Sequence, residues 1–332
     1  MRRRHAFRPT ATEHLEDRVV LSHANPTAAV VHVLATPPKP KVLKIGAMGD
    51  SFTDEYRFYS PDRSMSRNWV ELLSASRRLQ FGAFSRANRA EPRRAGFVYN
   101  WARSDATSDD MVRNQLPGLT DQVRKGQVNT AWIFVGGNDF VHYATNFSIQ
   151  NLPSPTQVSS DLAKVQSRAA DNLTTAVRTL IVANPNVNLV LVTLPDIRSL
   201  PALATIQSLP QAKPLIDAVS ASIDQFNARV KELAASEPGR IAVADLNAQY
   251  ATLLQQGASM GSLKLGSTSI DLRTPSDEYR HFFLADGIHI GTVAQGLLAN
   301  LFIQTVDASF NAGIRPLSPA EILRMAKRLP AR

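Results

Sequence analysis

The sequence predicts an α/β fold in which a parallel sheet is covered by helices on both faces, and two observations predict it. From residue 41 onward, short and nearly continuous apolar runs alternate with stretches of helical periodicity. Strands buried on both faces need that pattern, because neither face meets water. The second observation is chemical. Four polar strings are set among these runs, and three of them fall at or just past strand ends, where parallel sheets place their sites.

The elements follow in order. Residues 42–48 form an apolar first strand that runs into Gly49-Asp50-Ser51. Residues 68–79 carry Trp69, Leu72, Leu73 and Leu79 at helical spacing. Residues 96–100, 130–135, 188–194 and 240–244 read as the second to fifth strands. Helical stretches at 157–184, 212–236 and 292–308 separate or follow the later strands. Ser318, Pro319 and Glu321 mark the capped start of a short helix over 318–329. The chain thus divides into an N-terminal segment and linker (1–40), a main domain (41–314) and a basic C-terminal helix or tail (315–332).

Composition removes several function classes. The chain has 332 residues, is 44% hydrophobic and has no cysteine. Disulfides, thiolate zinc sites and a cysteine nucleophile are therefore excluded. No uninterrupted apolar run approaches the length that crosses a bilayer. The net charge is +9, but residues 1–40 hold +3 and residues 315–332 hold +4, leaving +2 between them. An excess confined to the ends does not make a nucleic-acid-binding face. The segment before residue 41 ends in Thr36-Pro37-Pro38-Lys39-Pro40, a linker composition. Within it, Phe7-Arg8-Pro9 and Leu15-Glu16-Asp17-Arg18-Val19-Val20-Leu21-Ser22 resemble the N-terminal segment of exported planctomycete proteins, which implies export.

The four strings carry the chemistry of acyl transfer. Ser51, at the end of a strand and a tight turn, offers a hydroxyl nucleophile. Asp286-Gly287-Ile288-His289 offers a base with a carboxylate three residues before it, close enough to orient the ring. Gly136-Gly137-Asn138-Asp139 lets the backbone turn sharply and presents an amide donor where an oxyanion would form. The fourth string runs from Asn100 to Thr107. Each string alone has a plainer reading: a capping serine, a capping aspartate beside an exposed histidine, or a glycine-rich loop. His281 with Asp286 and His289 is also open as a metal pair, although the spacing is not specific. Gly257-Ala258-Ser259-Met260-Gly261 matches a nucleophile-elbow pattern but follows a helical stretch, so it reads as a surface loop.

In this order the strings resemble the conserved blocks of the GDSL-type (SGNH) esterase and lipase family over about residues 42–308. The resemblance implies a three-layer α/β/α, flavodoxin-like fold with a parallel five-stranded sheet. It implies a serine esterase that needs no metal or cofactor, with Ser51 as nucleophile and Asp286 and His289 as its triad partners. The oxyanion donors would be the N–H groups of Ser51 and Asp105 and the side chain of Asn138. The substrate would be an acyl ester of a lipid or a carbohydrate. Val192-Thr193-Leu194-Pro195-Asp196 resembles a strand-end segment of the lipase-like branch. One position departs: Asp105 stands where the family's second block has glycine. A carboxylate there would repel an oxyanion unless it points away or meets a cation such as Arg103. A catalytically impaired binding module and an acyltransferase using the same triad are therefore the alternative functions. Phe52, Tyr56, Phe58, Tyr59, Phe140 and Tyr143 are candidates for an aromatic mouth, and the arginine-rich insert at 56–94 is a candidate cover for the cleft.

Overall fold

The computed structural model describes residues 42–59, 63–77, 79–85, 96–148 and 150–328. The expectations placed on residues 1–40 lie outside them. In chain order the first elements are β1 (Ile45–Gly49), α1 (Trp69–Arg77), β2 (Phe84–Ser85), β3 (Gly96–Phe97) and α2 (Ser108–Asp110). A π-helical stretch, Met111–Gln115, leads from α2 into α3 (Leu116–Arg124). Then come β4 (Thr130–Phe134), α4 (Gly137–Thr145), α5 (Pro155–Ala183), β5 (Asn188–Val192), α6 (Ala204–Gln207) and α7 (Lys213–Ala235). The chain continues through β6 (Ile241–Ala244), α8 (Leu246–Gly257), β7 (Ser262–Leu265), β8 (Thr268–Asp271), α9 (Thr292–Phe310) and α10 (Pro319–Lys327).

The main sheet has four parallel strands in the order β1-β4-β5-β6, which corrects the expected five. The strand read at 96–100 is the one that fails. Only Gly96 and Phe97 are extended, and they pair antiparallel with β2 in a separate ribbon. The next residues turn back, with Asn100 N donating to Phe97 O. The free edge of β1 is satisfied piecemeal instead: Ile45 N donates to Gln80 O, Ala47 N to Tyr99 O, and Trp101 N to Ala47 O. These backbone groups find partners, but no continuous ladder forms.

Helices cover both faces of this sheet. Helices α3, α5 and α7 pack on one side, and α1 and α9 on the other. Gly46 explains how closely α3 sits on β1, because a Cβ there would lie 2.3 Å from Leu119 Cδ1. On the opposite face Trp69, Trp132 and Phe302 are fully buried against one another, with ring centroids 4.7–6.3 Å apart. Ser318 and Glu321 close a capping box at the start of α10, as the sequence spacing requires. That helix rests on α9, with Ile322 against Gly296. No helix among the described residues is long and apolar enough to cross a membrane.

Candidate active site

The first turn past β1 is fixed by a close approach. A Cβ on Gly49 would lie 2.2 Å from Phe134 O of β4, so only glycine lets the two strands end this near each other. Gln115 holds the same residue from the other side, accepting from Gly49 N at 2.8 Å and donating to Gly49 O at 2.9 Å. Ser51 follows, 8% exposed, on the floor of a cleft of about 330 Å³. Asp105, Asn138 and His289 line the same cleft.

The last string folds as a self-contained turn. Asp286 Oδ1 accepts from the N–H groups of Ile288 and His289, both at 2.8 Å, while Gly287 takes φ +68° between them. That leaves Oδ2 free to meet His289 Nδ1 at 2.6 Å. Burial pushes the Asp286 carboxyl up, but the hydrogen bond and charge of His289 and the two backbone donors outweigh it and hold the group below its ordinary value. The imidazole is packed between Phe52 and Tyr56, at ring distances of 5.8 and 6.2 Å. Tyr56 in turn donates to Ile290 O and accepts from Gln295, which ties the first block to the last. Ser51 Oγ makes no hydrogen bond to the ring in this structure. Its place at Nε2 is taken by Arg63 Nη1, 3.3 Å away.

The donor side is built from two other turns. Gly136 takes φ +111° as the N-cap of α4, which sets Asn138 in the first turn of that helix. Asn138 Nδ2 donates one hydrogen to Ala106 O at 3.0 Å, leaving its second hydrogen for the cleft. Asn100 locks the second string to the first through Thr53 O and Glu55. Asp105 takes φ +66°, the left-handed conformation that the glycine of the second block would adopt without strain. Its carboxylate points outward, where His142 Nε2 donates to it at 2.9 Å. The side chain that meets it is thus His142 of α4, a residue the sequence reading did not single out.

Beside Ser51, burial pushes the Asp50 carboxyl up to about 7. The Phe52 N–H opposes that shift, and nearby Asp139 reinforces it. Asp139 is itself raised by burial, against hydrogen bonds from Ser108. His281 does not join the last string: its Nδ1 lies 2.7 Å from Thr274 O. No group of three or more His, Asp or Glu among the described residues is arranged to hold a metal ion. Of the aromatic residues expected at the mouth, Phe52 lines the cleft, whereas Tyr56 and Phe140 are core. Residues 258–260 form a surface turn after α8, with Met260 exposed.

The cleft also has an apolar wall of Phe134, Val141, Leu194, Ile197, Leu200 and Ile223. Leu194 is held there by a two-way hydrogen bond of its backbone with the buried Asn227 side chain.

The family model described as GDSL-like Lipase/Acylhydrolase matches residues 45–302. No curated protein matches the chain. Solved structures with a similar chain course include the lipase Lip_vut3 from a goat rumen metagenome, at 13% identity and TM-score 0.48, covering 79% of this chain and 97% of that one. The extracellular lipase from Streptomyces rimosus is similar at 17% identity and TM-score 0.47, over 80% and 98% of the two chains. Phospholipase A1 from Streptomyces albidoflavus NA297 is similar at 13% and 0.46, over 80% and 98%.

Proposed function

The chain belongs to the GDSL-like lipase/acylhydrolase family, and from that premise we propose that it is a serine ester hydrolase acting through Ser51, His289 and Asp286. The observation that carries this reading is the 2.6 Å contact of Asp286 with His289, whose ring faces the same cleft as Ser51 and Asn138. Ser51 Oγ attacks the ester carbonyl while His289 Nε2 takes its proton. Asp286 holds the proton on Nδ1 and offsets the imidazolium that forms. The N–H groups of Ser51 and Asp105 and the amide of Asn138 receive the oxyanion. Among the described residues the two backbone groups donate to no other protein acceptor. Collapse expels the alcohol, protonated by His289, and water then releases the acid by the same route in reverse.

The apolar wall supports an acyl chain rather than an acetyl group as the better substrate, since acetyl would leave that wall uncovered. Each methylene buried there contributes about 0.8 kcal/mol, roughly fourfold in kcat/KM. The ester's alcohol part is open to solvent on this reading, so transfer to an alcohol instead of water remains the acyltransferase variant of the same chemistry. Export is proposed on the N-terminal segment, and sequencing the N-terminus of protein recovered outside the cell tests it.

The reaction is tested with p-nitrophenyl esters from acetate to dodecanoate and with a fluorophosphonate probe. Wild type turns over and is labelled. S51A is not labelled, and D286N loses about 10⁴-fold in kcat. A folded wild type that hydrolyses none of these esters and takes no label removes the reading.

A further inference from the structure

A buried arginine stands at the reaction centre outside all four strings. Arg63 comes from the loop before α1 and is 5% exposed. Its Nη1 donates to Ser51 O at 3.4 Å and lies 3.3 Å from His289 Nε2, and its Nη2 donates to Ser104 Oγ at 2.8 Å. The guanidinium lies over the Tyr59 ring at 4.0 Å and over the Tyr56 ring at 5.5 Å. Among the described residues no carboxylate pairs directly with the guanidinium, although Arg63 is near enough to Asp50 for its charge to pull that carboxyl down. A guanidinium held this rigidly against the Ser51 backbone, the Ser104 hydroxyl and His289 Nε2 fixes the groups of the proposed reaction relative to one another.

We propose that Arg63 is a positioning residue for acyl transfer. It fixes the nucleophile turn against the second turn and holds His289 in the form that accepts a proton. The proposal rests on the serine-hydrolase reading above. A guanidinium has five donors and no acceptor. Its approach to Nε2 therefore requires that nitrogen to be unprotonated, with the ring proton on Nδ1 facing Asp286. That is the tautomer a general base needs. The other two contacts fall on Ser51 itself and on the residue before Asp105. Ser51 and Asp105 supply the two backbone donors assigned to the oxyanion, so one rigid fork sets the spacing of both. Lysine, a point charge on a flexible stem, cannot span the same acceptors. When substrate enters, Ser51 Oγ takes over the Nε2 lone pair and passes its proton there, while the guanidinium stays on Ser51 O and Ser104.

Steady-state hydrolysis of p-nitrophenyl butyrate by wild type, R63A and R63K, with and without methylguanidinium, tests this, beside fluorophosphonate labelling of each protein. In R63A, kcat falls about 100-fold while KM stays within about threefold, the size of loss seen when one oxyanion donor is removed. Methylguanidinium restores at least about tenfold of the loss, which a merely structural role would not allow. R63K, which keeps the charge but not the fork, stays within about threefold of R63A. A kcat in R63A that is unchanged or raised, or a loss that methylguanidinium does not restore, overturns the proposal. Should R63A fail to fold by circular dichroism, R63K decides: a folded R63K with wild-type kcat overturns it, and a folded R63K with the predicted loss at unchanged KM upholds it. An unlabelled wild type sinks the hydrolase reading instead. A labelled wild type beside a kinetically normal R63A sinks this inference alone.

Discussion

Asp105 is where the residue scale decides between an active enzyme and an impaired one. Aspartate adopts the left-handed region with less strain than most residues, and its exposed carboxylate is engaged by His142. The N–H remains where glycine would leave it. With the carboxylate exposed and engaged by His142, we expect D105G to keep kcat on p-nitrophenyl butyrate within about threefold of wild type. Urea midpoints should correspond to a stability change within about 1 kcal/mol, because relief of backbone strain and the added chain entropy of glycine oppose each other. A rise in kcat of more than about tenfold would mean that the carboxylate opposes the oxyanion and would favour the impaired-enzyme alternative. The same scale shows what a sequence can disclose. The contact of Asp286 with His289 is legible because three residues in one turn settle it. The contacts of Arg63 with His289 and of Gln115 with Gly49 span 226 and 66 residues, and no local pattern marks them. The surplus of arginine in the 56–94 insert was the one available signal for Arg63, and it indicated the region without the residue.

Elements were legible where burial and periodicity agree. The strands β1, β4, β5 and β6 are almost wholly buried, and their apolar runs say so. Residues 96–100 have the same local composition, yet Phe97 N turns to Glu55 Oε1 and the segment leaves the sheet. Pairing is a long-range choice that a five-residue run does not encode. The wall of the cleft is likewise a joint product of elements. Val141 comes from α4, Ile223 from α7, and Leu194, Ile197 and Leu200 from the stretch after β5. Because α7 is a long helix packed against α5, a bulky residue at 223 should shorten the chamber without moving Ser51. Across p-nitrophenyl esters, wild-type kcat/KM should climb roughly fourfold per methylene beyond acetate until the wall is covered. In I223W the optimum should move to shorter chains while acetate turnover stays within about threefold. An acetate optimum in wild type, or an unmoved optimum in I223W, would contradict an acyl-binding wall.

At the scale of the whole molecule, the parallel sheet brings the loops after β1 and β4 to one edge, and the turn before α9 packs against them through Tyr56. Holding a carboxyl under that edge affects global stability. Burial raises Asp50 from 3.8 in the unfolded chain to about 7 in the fold. Between those values the native state keeps a proton that the unfolded chain releases, so this group's contribution to stability falls as pH rises through the window. D50N keeps an acceptor for Phe52 N–H but carries no charge. Its urea midpoint should therefore gain on wild type between about pH 4 and pH 8, and a difference that stays constant with pH would contradict the burial of Asp50. The account as a whole depends on Ser51 being the group that forms the acyl-enzyme. Mass spectrometry of peptides from the fluorophosphonate-treated protein tests that most directly. The account predicts one adduct, on the peptide bearing Ser51, absent from S51A and slowed severely in H289A. An adduct confined to another serine, such as Ser104 or Ser259, or a folded protein that acquires none, would contradict it.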